Sequence, residues 1–354
     1  MDEVLLHIGM HKTGTTSIQS AILGYDDGDT VQADLEIPNH SAPLYTAFSA
    51  NRAKYHYWRS FGLGPEQIEK RRSSYLEMLD AQLARTDRRR LLISGEDISI
   101  LDPADKTALV DFFAARVPKI HVLCYLRAPG SYAASAFQQR ITGGMAQLPA
   151  HCSPGYRMRL EAFRTDARVT TLEVREFSRG KLAGGDAVED FATVLGLDLA
   201  RMARTSLNEG LGETAAKLLY HFNRVMPLSA GDRVLMQARM AMGRELAAAY
   251  PSRPIAAEWL GALADASETS YVAGHFGIDF PAAAADAPSD RAALEGYMAD
   301  LSGIDLAPLD RLLETHRISG RFPGATEKLV RLYLWHVYER ETALAARRQA
   351  AAAG

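Results

Sequence analysis

Val4-Leu5-Leu6-His7-Ile8-Gly9-Met10-His11-Lys12-Thr13-Gly14-Thr15-Thr16-Ser17 decides the fold of this chain. The first five residues are a short apolar run of the kind that makes a buried strand, and Gly9 ends it. Past the glycine turn, a helix beginning near Gly14 carries Ile18, Ala21 and Ile22 on its inner side. Backbone N–H groups at such a helix start point outward without partners, and the helix dipole adds partial positive charge. That arrangement suits a phosphate-like anion. The hydroxyls of Thr13, Thr15 and Thr16 and the ammonium of Lys12 would complete the cradle. The plainer alternative is a Thr-rich, capped helix start that holds nothing.

Further along, Leu91–Ser94, Ile120–Leu126 and Val169–Val174 repeat the pattern of short apolar runs, and continuous rather than alternating hydrophobicity predicts strands covered on both faces, as in a parallel sheet. Helical stretches separate them. In residues 65–86, Ile68, Tyr75, Met78, Leu79 and Leu83 share one face, with Pro65 suited to a first turn. Strand–helix alternation points to an α/β fold with right-handed crossovers. After about residue 200 the strand signal stops. Leu211, Ala215, Leu218, Leu219 and Phe222 keep helical spacing behind Asn208 as an N-cap, further helices are expected at 230–249 and 256–274, residues 281–290 read as a loop, and a last helix runs from about Thr326 to Arg347. The division expected is an α/β core over 1–200 and a helical C-terminal part over 201–354, packed on the core or continuous with it.

Composition narrows the function. The 40 Lys+Arg and 43 Asp+Glu give a net charge of −3, so no basic excess exists to coat nucleic acid. Two cysteines, Cys124 and Cys152, are too few for a disulfide scaffold or a thiolate metal cluster. The N-terminus lacks the basic start and apolar stretch of a secretory signal, and no run approaches the ~20 apolar residues that span a bilayer. A cytoplasmic chain is expected.

The Gly9-to-Gly14 spacing matches the nucleotide-binding P-loop G-x-x-x-x-G-K-[ST], but Thr15 follows Gly14 and the lysine sits earlier, at Lys12. A P-loop NTPase uses its helix lysine and Ser/Thr-bound Mg²⁺ on a highly charged β/γ-phosphate pair. A sulfuryl group carries less charge, so a lysine without a metal suffices. Lys12-Thr13-Gly14-Thr15-Thr16 resembles the 5′-phosphosulfate loop (K-x-G-T-T) of sulfotransferases that use 3′-phosphoadenosine 5′-phosphosulfate (PAPS), and His7–Gln19 as a whole is similar to the bacterial branch of that family. A second motif follows the third strand: Leu126-Arg127-Ala128-Pro129-Gly130-Ser131-Tyr132-Ala133-Ala134-Ser135. An arginine at a strand's carboxyl edge can grip an anion with forked hydrogen bonds. In the family an Arg and a Ser eight residues later hold the 3′-phosphate, so the resemblance assigns those roles to Arg127 and Ser135.

The third element is Ser94-Gly95-Glu96-Asp97, at another strand end, where ligands of open α/β sheets bind. A carboxylate there could take the proton of an acceptor hydroxyl; a Glu after this strand does so in related branches, which makes Glu96 the candidate base. Equally, Glu96 or Asp97 could cap the next turn or pair with an arginine. His11, in the loop, is the next candidate; His7 alternates along the strand and reads as a core histidine. The resemblance thus implies a P-loop-like PAPS-dependent sulfotransferase with Lys12 stabilising the leaving phosphate, no metal, and a small-molecule, glycan or lipid acceptor. The rivals are a P-loop kinase or NTPase and a non-catalytic nucleotide-binding relative. Ser17 stands where many family members have an adenine-stacking tryptophan, and Gly320–Gly324 is a faint match to the late nucleotide loop. Arg52–Arg59 mixes bases with aromatics and reads first as a loop packing its rings on the core, Phe177–Leu197 resembles the segment after the family's fourth strand, and Arg88-Arg89-Arg90 reads as a solvated helix end.

Overall fold

A computed structural model describes residues 1–203, 211–228, 232–280 and 291–353. The chain divides into two compact units, Met1–Ala128 with Pro154–Asn208 and Ala266–Pro281, and Pro129–Ser153 with Glu209–Asp265 and Ala282–Gly354. The Asn208 cap and the 281–290 loop expected from the sequence lie outside the described residues.

The first unit is built on five strands, β1 (Glu3–His7), β2 (Thr30–Gln32), β3 (Arg90–Ser94), β4 (Lys119–Leu126) and β5 (Thr171–Glu176), all parallel, in the order β2-β3-β1-β4-β5. The continuous apolar runs have the expected cause. Leu5, Leu92, Leu123 and Tyr125 on one face pack with Ile18 of the helix Thr15–Ala21, with Ile22 at its C-cap, and with Phe191 and Leu195 of the helix Ala187–Leu195. The alternate residues Val4, Leu6, Leu91, Ile93, Val122 and Cys124 are buried as completely, and the helix Pro103–Ala114 packs against β4 on this side. Such a two-sided sheet leaves only its ends open. At one of them β1 stands between β3 and β4, so the chain leaves in opposite directions around it, and the loops after these three strands share the carboxyl edge.

Three details depart from the sequence reading. The strand expected at Val169–Val174 runs instead from Thr171, entered by the Thr170 N–H on the Ile120 carbonyl (2.9 Å), and as an edge strand it is only half-buried. β2 gives no apolar signal because it is three residues long and follows an acidic turn. Arg88, Arg89 and Arg90 are not a helix end, since the helix Pro65–Leu83 has already stopped: Arg89 is solvated, as expected, and pairs with Asp2 (3.0 Å), whereas the half-buried Arg88 and Arg90 meet Asp26 (2.8 Å) and Asp29 (2.9 Å) and tie the turn before β2 to the start of β3.

The second unit is helical: Pro129–Thr142, Glu213–Val225, Arg233–Ala249, Ala257–Gly261, Arg291–Ala299, Ala307–Thr315 and Ala325–Ala353. Phe137, Leu219, Phe222, Met242, Leu246 and Leu332 form its core. Arg239 is buried in it, donating to the Asn223 amide oxygen and the Met226 carbonyl (2.6 Å) between the rings of Phe222 and Tyr333. The single helix expected at 256–274 is two, Ala257–Gly261 in this unit and Thr269–Phe276 in the first. Among the described residues no helix is long and apolar enough to cross a membrane.

Candidate functional site

The loop from Gly9 to Gly14 crosses the carboxyl end of β1 with three residues in the left-handed region: Gly9 (φ 53°), Lys12 (φ 73°) and Gly14 (φ 74°). For Lys12 this conformation costs roughly 1–2 kcal/mol, because its Cβ crowds the backbone. Gly14 has no such freedom to lose, since a β-carbon there would come within 3.0 Å of Ala187 Cβ and 3.1 Å of the Phe177 ring. The backbone so bent leaves its donors open: among the described residues, the N–H groups of Lys12, Thr13, Gly14, Thr15 and Thr16 find no acceptor. Successive open N–H groups around left-handed residues are the geometry of an anion nest.

The threonines divide by role. Thr13 is fully buried; its hydroxyl donates to the Met10 carbonyl (2.5 Å) and accepts from the Met10 N–H (3.3 Å). Thr15 also turns its hydroxyl to that carbonyl (3.4 Å), so both brace the loop, and Thr16 is the exposed one. Below, the Cys124 thiol donates to the Gly9 carbonyl (3.1 Å), and burial pushes this thiol up to about 12.

Two cations meet at the loop. The Arg127 guanidinium, at the end of β4, donates to the Lys12 carbonyl (2.8 Å) and lies over the Phe177 ring. Burial lowers the Lys12 ammonium below its ordinary range, the charge of Arg127 lowers it further, and Glu96 opposes both. Burial also lowers Arg127. Among the described residues the Lys12 ammonium has no ion-pair partner.

Glu96 follows β3, half-buried, its oxygens accepting from the Gln19 side chain (3.0 Å) and the Asn39 side chain (3.4 Å). Its position depends on Gly95, where a β-carbon would stand 2.4 Å from the Ser41 nitrogen. Beside it, His11 Nε2 is 2.8 Å from one oxygen of Asp97, whose other oxygen accepts the Tyr55 hydroxyl (2.5 Å). Burial raises the Asp97 carboxyl, but the hydrogen bonds from His11 and Tyr55 outweigh it and leave the group below its ordinary value. His7 is a core histidine: fully buried, it pairs through Nδ1 with Ser94 Oγ (2.8 Å), and burial drives it down to about 3.

The first unit therefore brings together Lys12, the open N–H groups through Thr16, Glu96, His11 and Arg127. Ser135 is half-buried on the helix Pro129–Thr142 of the second unit, and Gly320–Gly324, with Phe322 folded back on Gly320, precedes that unit's last helix. Ser17 is half-buried in the first turn after the loop. Of the Arg52–Arg59 stretch, Tyr55 and Trp58 are core residues, Trp58 donating to Thr46 Oγ1 (2.6 Å). The site residues that the sequence did not disclose are Gln19, Asn39 and Tyr55. Gln19 follows the glycine loop at a helical spacing that faces the sheet, a usable signal; Asn39 and Tyr55 reach the site through loops that carry none. No family model, curated protein or solved structure matches the chain.

Proposed function

We propose that this chain is a PAPS-dependent sulfotransferase that binds the 5′-phosphosulfate on the turn from Lys12 to Thr16 and delivers the sulfuryl group to an acceptor hydroxyl or amine. One observation carries the reading: Lys12, with no ion-pair partner among the described residues, lies near a second cation, Arg127, in a loop whose own N–H groups are open. Two neighbouring positive charges in a half-buried loop repel; an anion between them reverses the sign. The helix behind the loop has only seven residues, so its dipole adds little. A unit charge 4 Å from its partner is worth about 4 kcal/mol at an effective dielectric near 20, against roughly 0.3–1 kcal/mol from a helix end.

The bound co-substrate supplies the sulfuryl group and a phosphate leaving group. Lys12 and the loop N–H groups stabilise the negative charge that grows on that leaving side. Arg127 holds the Lys12 carbonyl, and the resemblance gives its guanidinium the 3′-phosphate. Glu96, oriented by Gln19 and Asn39, receives the acceptor's proton. His11, backed by Asp97, has the base-plus-orienter arrangement of the second candidate. The position after Gly14 is Thr15, which leaves a P-loop NTPase without its helix lysine. The free thiols of Cys124 and Cys152 fit a cytoplasmic setting.

Calorimetric titration in EDTA tests the assignment. Binding of 3′,5′-ADP that is stronger than that of 5′-AMP and needs no Mg²⁺ is expected. Binding and turnover of Mg²⁺–ATP in its place would return the chain to the kinase and NTPase class; nucleotide binding with no transfer of label from [³⁵S]PAPS to a broad acceptor panel would make it a non-catalytic relative.

A further inference from the structure

We propose that Glu245, His316 and His336 form a binding site for a divalent transition metal of the zinc type, which would tie together three helices of the second unit. Glu245 is on Arg233–Ala249, His316 caps the end of Ala307–Thr315, and His336 is on Ala325–Ala353. These helices pack on one another, so the three side chains converge from separate directions. One ligand atom from each lies within 4.8 Å of the other two. His316 Nε2 is 2.9 Å and His336 Nε2 is 3.2 Å from the same oxygen, Glu245 Oε2. A tetrahedral zinc ion with bonds of about 2.0–2.1 Å sets its ligand atoms about 3.3 Å apart, so two edges need to move only a few tenths of an ångström.

A second observation separates this cluster from an ordinary histidine–carboxylate contact. His336 is 6% exposed, and its Nε2, although near the carboxylate, is a buried nitrogen without an aligned hydrogen bond. One carboxylate oxygen facing two imidazole nitrogens satisfies His316 and leaves His336 unsatisfied; an ion between the three satisfies all of them. The rings are also fixed. Trp335 stacks on His316 at 3.7 Å and 29° and meets His336 edge-on, so little side-chain freedom remains to be lost on binding. Two imidazoles and one carboxylate suit zinc, nickel or copper better than calcium or magnesium, and three protein ligands leave a fourth position for water or another ligand. Arg340, one turn beyond His336, brings its charge to bear on that ring and works against a cation.

The site is read by Co²⁺, the coloured substitute for Zn²⁺. Full-length protein is stripped with EDTA, dialysed and titrated with CoCl₂, then back-titrated with ZnCl₂. One equivalent with the intense visible absorption of a four-coordinate ion, displaced by Zn²⁺, is the expected result. Glu245→Gln, which keeps the shape of the side chain, and His316→Ala, at a partly exposed ring, should each weaken binding about tenfold or more, the scale on which even outer-shell partners act. Arg340→Gln should strengthen it, an effect that a merely hydrogen-bonded cluster would not show. Wild-type protein that takes up no Co²⁺ or Zn²⁺ overturns the proposal, as does binding left unchanged in Glu245→Gln and His316→Ala.

Discussion

Lys12 carries two burdens at once, a left-handed backbone and a charge beside Arg127, and both are unfavourable in the protein alone. Unfavourable local terms of this kind persist where they serve a ligand. Lys12→Gly separates them: relief of roughly 1 kcal/mol of backbone strain should leave the variant at least as stable as the wild type in urea unfolding, while its affinity for 3′,5′-ADP falls. A variant both destabilised and fully able to bind would contradict this. Gly95 makes the opposite case. A methyl group there meets the backbone of Ser41, which cannot swing aside, so Gly95→Ala should cost roughly 1–3 kcal/mol or more. Gly130, whose added β-carbon meets nothing within 4 Å on the helix Pro129–Thr142, is the control, and Gly130→Ala should stabilise by roughly 0.5–1 kcal/mol. At the chemical step, Glu96→Gln should lower the rate of transfer and leave 3′,5′-ADP affinity intact. If His11→Asn alone behaves so, the proton goes to His11.

At the scale of the elements, the carboxyl end of β3 is held by two buried histidines. Ser94 Oγ pairs with His7, and the Ser94 N–H donates to His40 Nδ1 (3.1 Å). Burial lowers His7 to about 3 and His40 to about 4. In the unfolded chain both take up protons near pH 6.5, whereas in the folded chain they do not, so the unfolded state binds more protons between pH 6.5 and about 4 and stability rises with pH across that window. Unfolding free energy should therefore fall on acidification by up to about 1.4 kcal/mol per pH unit for each histidine, and His7→Leu should remove one of the two contributions. A flat stability profile from pH 6.5 to 4 would contradict the buried neutral assignment. The same strands show what the sequence discloses. β1, β3 and β4 were legible because both their faces are buried, which writes an unbroken apolar run into the chain. β2 was not, because three residues at an edge carry no pattern. The arginine run misled because charge on a sequence says nothing about the carboxylates opposite: Asp2, Asp26 and Asp29 come from distant turns.

Across the whole molecule, the first unit was readable from its glycine loop outward, since strand order and the carboxyl-edge rule bring Lys12, Glu96 and Arg127 to one end of one sheet. The second unit disclosed Glu213–Val225, Arg233–Ala249 and Ala325–Ala353 through their periodicity, but not the helices Arg291–Ala299 and Ala307–Thr315, nor its Glu245–His316–His336 cluster, because ligands drawn from three separate helices have no fixed spacing. The supports of the loop, Asn39 on Glu96 and Tyr55 on Asp97, stayed hidden for the same reason. The proposed function requires Lys12 and Arg127 to act on one nucleotide. A double-mutant cycle on 3′,5′-ADP affinity, with Lys12→Ala, Arg127→Ala and the pair, measures this most directly. Each single change removes charge-assisted hydrogen bonds worth about 1.5–3 kcal/mol, so each should weaken binding by roughly tenfold to a hundredfold. Since Arg127 also holds the Lys12 carbonyl, the double variant should lose less than the two together, with a coupling of at least about 0.5 kcal/mol. Wild-type affinity in either single variant would contradict the account.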